Sequence, residues 1–142
     1  MTAFATLRLP AEPTALAPDG CDVRVLLALA GGSLAHFELA AGRTSAAVAH
    51  RTVEEIWFVL AGRGEMWRRQ GTREDVVALE PGVCLSLPLG TQFQFRAAGG
   101  TPLQAVAITM PPWPGDGEAA VVPGPWPATA AGRGDPFTGS DA

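Results

Sequence analysis

GRTSAAVAHRTVEEIWFVLAG, residues 42–62, decides the fold. Gly42 and Gly62 bracket a short run of small residues, a polar crossing and an apolar strand. Side chains alternate along a strand, so Ala46, Val48 and His50 share one face of the first segment. Residues 51–54 make the crossing, and Glu54 is expected to point outward. In the second strand, 55–60, Glu55, Trp57 and Val59 take one face, and Ile56, Phe58 and Leu60 take the other. Both faces are apolar beyond Glu55, so cover on both sides is expected. A second stretch answers the first: GVCLSLPLGTQF, residues 82–93.

Outward from these two stretches the chain reads as short strands separated by Gly/Pro turns. Strands are expected over 23–30 and 34–39, joined by the hairpin signal Gly31-Gly32-Ser33. Further strands are expected over 65–69, 76–79, 83–87, 93–96 and 103–110. Residues 4–9 alternate and suggest an edge strand or an arm reaching a second subunit. Before the N-terminal strand lies a Pro-rich turn region, so 1–22 is an arm and 23–110 the domain. Residues 111–127 carry Pro and Trp. Proline lacks the N–H that a ladder needs, so an extended strap is expected, anchored by Trp113 and Trp126. Residues 128–142 are expected to be disordered, and the tripeptide Arg133-Gly134-Asp135 within them is read as chance. No amphipathic helix stands out. Strands at this spacing mean a β-sandwich or a barrel.

The totals narrow the function. The 142 residues support one domain, and a chain near this length buries roughly 70% of its unfolded surface. A net charge of −4 argues against nucleic acid or an anionic membrane as partner. All ten basic residues are Arg, which excludes a lysine Schiff base. Cys21 and Cys84 form neither a disulfide framework nor a zinc pair. The first 25 residues lack a continuous apolar core, so no signal peptide is expected. No apolar run approaches 18 residues, so no membrane helix is expected. Cytoplasm is the expected compartment.

The two opening stretches resemble the signature motifs of the cupins, small double-stranded β-helix (jelly-roll) barrels. The first motif, G-x5-H-x-H-x3or4-E-x6-G, is met by Gly42, His50, Glu55 and Gly62, with Val48 where the first His belongs. The second, G-x5-P-x-G-x2-H-x3-N, is met by Gly82, Pro88 and Gly90, with Phe93 for the His and Ala97 for the Asn. The resemblance covers about residues 23–110. It implies an all-β jelly-roll barrel, commonly a homodimer. It also implies iron, manganese, nickel or zinc held by three His and a Glu. Only His50 and Glu55 carry over, and two ligands are too few for a tight catalytic metal. His36 on a preceding strand, or Gln92 beside the vacant slot, would have to refill the shell. Gln92 is expected to face outward.

The leading expectation is therefore a small-molecule-binding barrel without a full metal site. His50 and Glu55 would form an acid–base pair doing isomerase, cyclase or lyase-type proton transfer. Val48, Trp57, Val59, Cys84, Phe93 and Phe95 would line the pocket and favour an aromatic or cyclic ligand. Cys84 is read as a buried, inert core thiol. Two alternatives stand beside this: a divalent-metal oxygenase or isomerase with an off-pattern third ligand, and a non-catalytic binding barrel. Arg68, Arg69 and Arg73 are read as a solvated face.

Overall fold

The computed structural model describes residues 1–17 and 19–129. Of the tail expected to be disordered, all but residues 128 and 129 lies outside the described residues, as does the Arg133–Asp135 tripeptide. Thr129 is described, and its N–H donates to the Thr44 carbonyl.

Among the described residues eleven strands form two antiparallel sheets: β1 (Ala15–Leu16), β2 (Asp22–Leu29), β3 (Gly32–Leu39), β4 (Val48–His50), β5 (Glu54–Ala61), β6 (Gly64–Gln70), β7 (Arg73–Leu79), β8 (Cys84–Leu87), β9 (Gln92–Ala97), β10 (Leu103–Met110) and β11 (Ala119–Val121). One sheet runs β1-β2-β3-β10-β5-β8 and the other β11-β4-β9-β6-β7. They face each other as a jelly-roll barrel. No helix among the described residues is long and apolar enough to cross a membrane.

Inward residues of both sheets make one core, including Leu39, Trp57, Val59, Met66, Leu79, Leu85, Phe93 and Phe95. β5 shows how the pattern works. Glu55, Trp57 and Val59 are 3%, 2% and 1% exposed, whereas Ile56, Phe58 and Leu60 are 43–44% exposed. The alternation was legible, but the expected cover on the outer side is missing from a single chain.

The motif frame does what its residue types allow. Gly62 has φ +81°, and a Cβ there would lie 2.3 Å from the Pro102 carbonyl oxygen, so only glycine fits. Pro88 to Gly90 makes a tight turn, with Gly90 at φ +84° and the Thr91 N–H donating to the Pro88 carbonyl at 3.0 Å.

Both flanks differ from expectation. Residues 4–9 are no strand, and Phe4 is exposed; among the described residues of the arm the one ladder is β1 on β2. Arg24 instead ties the arm down through the carbonyls of Pro10 and Ala11. The strap does form a ladder: β11 pairs with β4, Ala119 opposite His50. Proline forbids pairing only where it stands, and 119–121 contain none. Beyond β11, Gln94 binds the strap in both directions. Its amide donates to the Trp126 carbonyl at 2.8 Å and its carbonyl accepts from the Trp126 N–H at 3.2 Å. The Trp126 ring stacks under Arg96 at 4.0 Å. Gly124 makes the close approach possible, since a Cβ there would meet Gln94 Oε1 at 2.4 Å. Gln94→Ala is expected to cost about 1–3 kcal/mol, because it strands buried partners. Loss of less than half a kcal/mol in urea denaturation would contradict that.

Candidate functional site

Three strand ends bring the site together. His50 closes β4, Glu55 stands near the start of β5, and Thr109 near the end of β10 lies opposite Glu55. Val48 and His50 face inward, as the alternation requires, and Glu54 is exposed.

Both Glu55 oxygens are occupied. Trp57 Nε1–H donates to Oε1 at 2.8 Å, and Thr109 Oγ1 bonds Oε2 at 3.1 Å. The two partners differ in kind. An indole N–H only donates, whereas a hydroxyl donates or accepts. Oε1 must therefore stay an acceptor, and a proton on the carboxyl belongs on Oε2. That oxygen lies 3.9 Å from His50 Nδ1. The gap exceeds a hydrogen bond, so the groups adjoin without being locked together.

Burial sets their protonation. It raises the Glu55 pKa to about 7, against the lowering pull of the Trp57 and Thr109 bonds; the Asp19 charge adds to the rise. It lowers the His50 pKa to about 4, with the Glu118 carboxylate working the other way. At neutral pH the imidazole is uncharged, and the carboxyl stands near half-protonation.

Aromatic rings hem in His50. Phe93 meets it edge-on at 5.3 Å and Trp113 of the strap at 5.1 Å. The crossing between His50 and Glu55 is held by Glu118, which sequence reasoning missed because no periodicity marks it. Its carboxylate accepts from the Thr52 and Val53 N–H groups at 2.6 and 3.0 Å and from Thr52 Oγ1. Burial opposes its charge, but these hydrogen bonds outweigh that and hold its pKa below the usual range.

The expected pocket walls need correction. Val48, Trp57, Val59, Phe93 and Phe95 do face inward, but they fill the barrel at their level. Trp57 stacks flat on Phe37 at 5.2 Å and meets Phe95 at 5.0 Å and Phe93 at 6.4 Å, all packing distances. Cys84 is not in the core at all. It is exposed, because β8 pairs Cys84 with the outward Phe58 and turns Leu85 and Leu87 inward. Arg68 leaves its expected solvated face as well. It pairs in register with the inward Phe93 and with Asp75, two residues along from inward Met66.

The donor set does not fit a metal. Val48 and Phe93 occupy the two positions where the motifs expect His. His36 lies on the outer side of its sheet, one step from inward Phe37, with Nε2 3.0 Å from Gln104 Oε1. Gln92 alternates with inward Phe93 and faces outward. Among the described residues no three His, Cys, Asp or Glu side chains are grouped to hold an ion.

Comparison with known proteins bears on the fold. No curated protein matches the sequence. The capsular polysaccharide assembling protein CapF from Staphylococcus aureus superposes with TM-score 0.65 at 14% identity, over 73% of this chain. The chain spans only 32% of that protein's length. An uncharacterized conserved protein with a double-stranded β-helix domain from Klebsiella pneumoniae gives TM-score 0.60 at 19% identity, covering 73% of this chain and 85% of the other. A predicted oxalate decarboxylase from Thermotoga maritima gives 0.54 at 19%, covering 63% and 79%. At these identities the likeness is one of fold. The family follows from sequence: the cupin-domain profile matches residues 35–109, more than half the chain and the span that carries both motifs, so the chain belongs to the cupin family.

Proposed function

We propose that this cupin binds a small cyclic or aromatic carbonyl compound at the His50–Glu55 end of the barrel and moves protons on it without a metal. The reaction would be of isomerase, cyclase or lyase type. One observation carries the reading: a buried carboxyl and a largely buried, uncharged imidazole adjoin at the strand ends. Glu55 Oε2 gives or takes the proton, and its pKa of about 7 suits both directions at neutral pH. The Thr109 hydroxyl follows either state by donating or accepting. His50 is the neutral partner that receives or relays. The Trp113 ring, 37% exposed, offers an aromatic surface to a ring-shaped ligand.

Solvent exchange tests this. Cyclic and aryl ketones are incubated with the protein in D2O, and loss of the α-proton signal is followed by NMR. Catalysed exchange is expected with at least one compound, falling by about 100-fold or more in Glu55→Gln. Exchange that is unchanged in that variant would remove the acid–base role. Absence of exchange with binding retained would favour the non-catalytic barrel.

The same proposal includes a homodimer through the outer face of the six-stranded sheet. Leu34, Ile56, Phe58, Leu60 and Ile108 are each 37–44% exposed there. A contiguous apolar face of this kind marks an interface. Phe58→Glu is expected to convert a two-chain species to one of 14.7 kDa in light scattering. A wild-type protein already of one-chain mass would contradict the dimer.

A further inference from the structure

β8 ends one sheet and β7 ends the other. Between them opens a cleft of about 180 Å³, lined by Arg68, Gln70, Arg73, Asp75, Pro88 and Thr91, with Ser86 at its side. The sequence places these residues by alternation. Met66, Arg68 and Gln70 take the inward face of β6, and the core-facing level gives way to a polar rim where β6 ends.

The rim's charges are unevenly used. Arg68 is consumed internally: Nε and Nη2 bond Asp75 Oδ1 and Oδ2 at 3.2 and 3.0 Å, and Nη1 bonds the Ser86 carbonyl at 3.0 Å. That pair is neutral in sum and fixes the wall. Arg73, opposite Gln70 in register, has no carboxylate partner among the described residues. The cleft thus carries one surplus positive charge. It also carries an unmet polar group: Thr91 is buried, and its Oγ1 has no hydrogen-bond partner among the described residues. Leaving such a hydroxyl unpaired is costly, and Thr91 is one of the residues that line the cleft.

A surplus guanidinium, an idle hydroxyl and the Gln70 amide describe a receptor for one small anion. The planar guanidinium fork matches a carboxylate. The volume falls below the roughly 300–1,000 Å³ of drug-sized sites, and Pro88 supplies an apolar wall. We propose that this cleft binds a small organic monocarboxylate, with Arg73 holding the carboxylate and the Thr91 hydroxyl and Gln70 amide completing its hydrogen bonds.

The ladder of β4 on β9 pairs Val48 with Phe93 and Ala49 with Gln92. Thr91 precedes Gln92 and His50 follows Ala49, just past the end of that ladder. His50 and Glu55 do not line the cleft; a substrate reaching from it toward that pair would have its carboxylate anchored here. This last step alone rests on the proposed function; binding itself does not need Glu55.

The test is titration of the full chain with benzoate, followed by amide NMR shifts. Saturable shifts are expected at residues 68–75 and 86–92. Arg73→Gln is expected to weaken binding at least tenfold, and Thr91→Val severalfold, with Thr91→Ser close to wild type. The titration uses no carbonyl substrate, so its outcome stands whether or not the Glu55 exchange chemistry holds. Absence of saturable shifts, or equal affinity in Arg73→Gln, would overturn the proposal. Inorganic phosphate binding more tightly than benzoate would overturn the carboxylate assignment.

Discussion

Glu55→Gln is expected to stabilise the fold above neutral pH by about 3 kcal/mol while removing proton transfer. The glutamine keeps the geometry. Its carbonyl accepts from Trp57 Nε1–H, and its amide donates to Thr109 Oγ1. What it removes is a charge that burial disfavours. The Glu55 pKa is about 7 folded against 4.5 unperturbed. With its folded pKa raised, this group's contribution is fully present below about pH 4.5 and is lost as pH climbs through 7. At about 1.4 kcal/mol per unit the loss is about 3 kcal/mol. His50 runs the other way. Its pKa is lowered from 6.5 to about 4, so its contribution is present above 6.5 and lost as pH falls through 4. Between about pH 4.5 and 6.5 the two slopes oppose, and the wild-type pair contributes a nearly level profile. Glu55→Gln leaves the His50 slope uncovered. Urea midpoints of the variant are expected to rise steeply from pH 4 to 6.5 and to exceed wild type at pH 8. A variant no more stable than wild type at pH 8 would contradict the burial argument.

Trp57→Ala is expected to destabilise more than any other single change at the site. Large aromatic deletions in cores cost about 3–5 kcal/mol. Trp57 is 2% exposed, stacked flat on Phe37 and met edge-on by Phe95. The deletion also strips Glu55 Oε1 of its donor, adding about 1–3 kcal/mol. Domains of this size hold about 5–15 kcal/mol in all, so the variant is expected to be largely unfolded at 37 °C. Trp57→Phe separates the two causes. It keeps a ring in the stack and loses the N–H, so it should stay folded with a Glu55 pKa above the wild-type value. Circular dichroism and urea melts measure both. A Trp57→Ala loss below about 2 kcal/mol would show that the stack is not packed as described.

The sequence made some of this legible and hid the rest for physical reasons. The last barrel strand falls over 103–110 as expected, and β5 shows its two faces as alternation requires. Those segments are long and regular, so their patterns have one reading. The phase of 83–87 differs from the expectation for Cys84: Val83, Leu85 and Leu87 form the apolar row, and pairing with β5 sets Leu85 against inward Trp57 and Cys84 against outward Phe58. Alternation puts Trp57, Phe93 and Phe95 inside, but cannot say that rings from opposite sheets meet and fill the space. Glu118 and Trp113 reach the site from the strap, far along the chain and outside any period. Arg68 was legible in principle, two residues after Met66 on the same face. Its charge points to solvent, and the bidentate Asp75 partner that lets it turn inward lies on the neighbouring strand.

The central claim is that Glu55 is a carboxyl tuned to titrate near neutrality beside an uncharged His50. The most direct test is a pH titration of the Glu55 carboxyl carbon by NMR, assigned by comparison with Glu55→Gln. A midpoint near 7, with His50 titrating near 4 in the same samples, is the predicted result. A Glu55 midpoint near 4.5 would mean that the carboxylate is solvated and fully ionised at neutral pH, and the acid–base reading of this barrel would be lost.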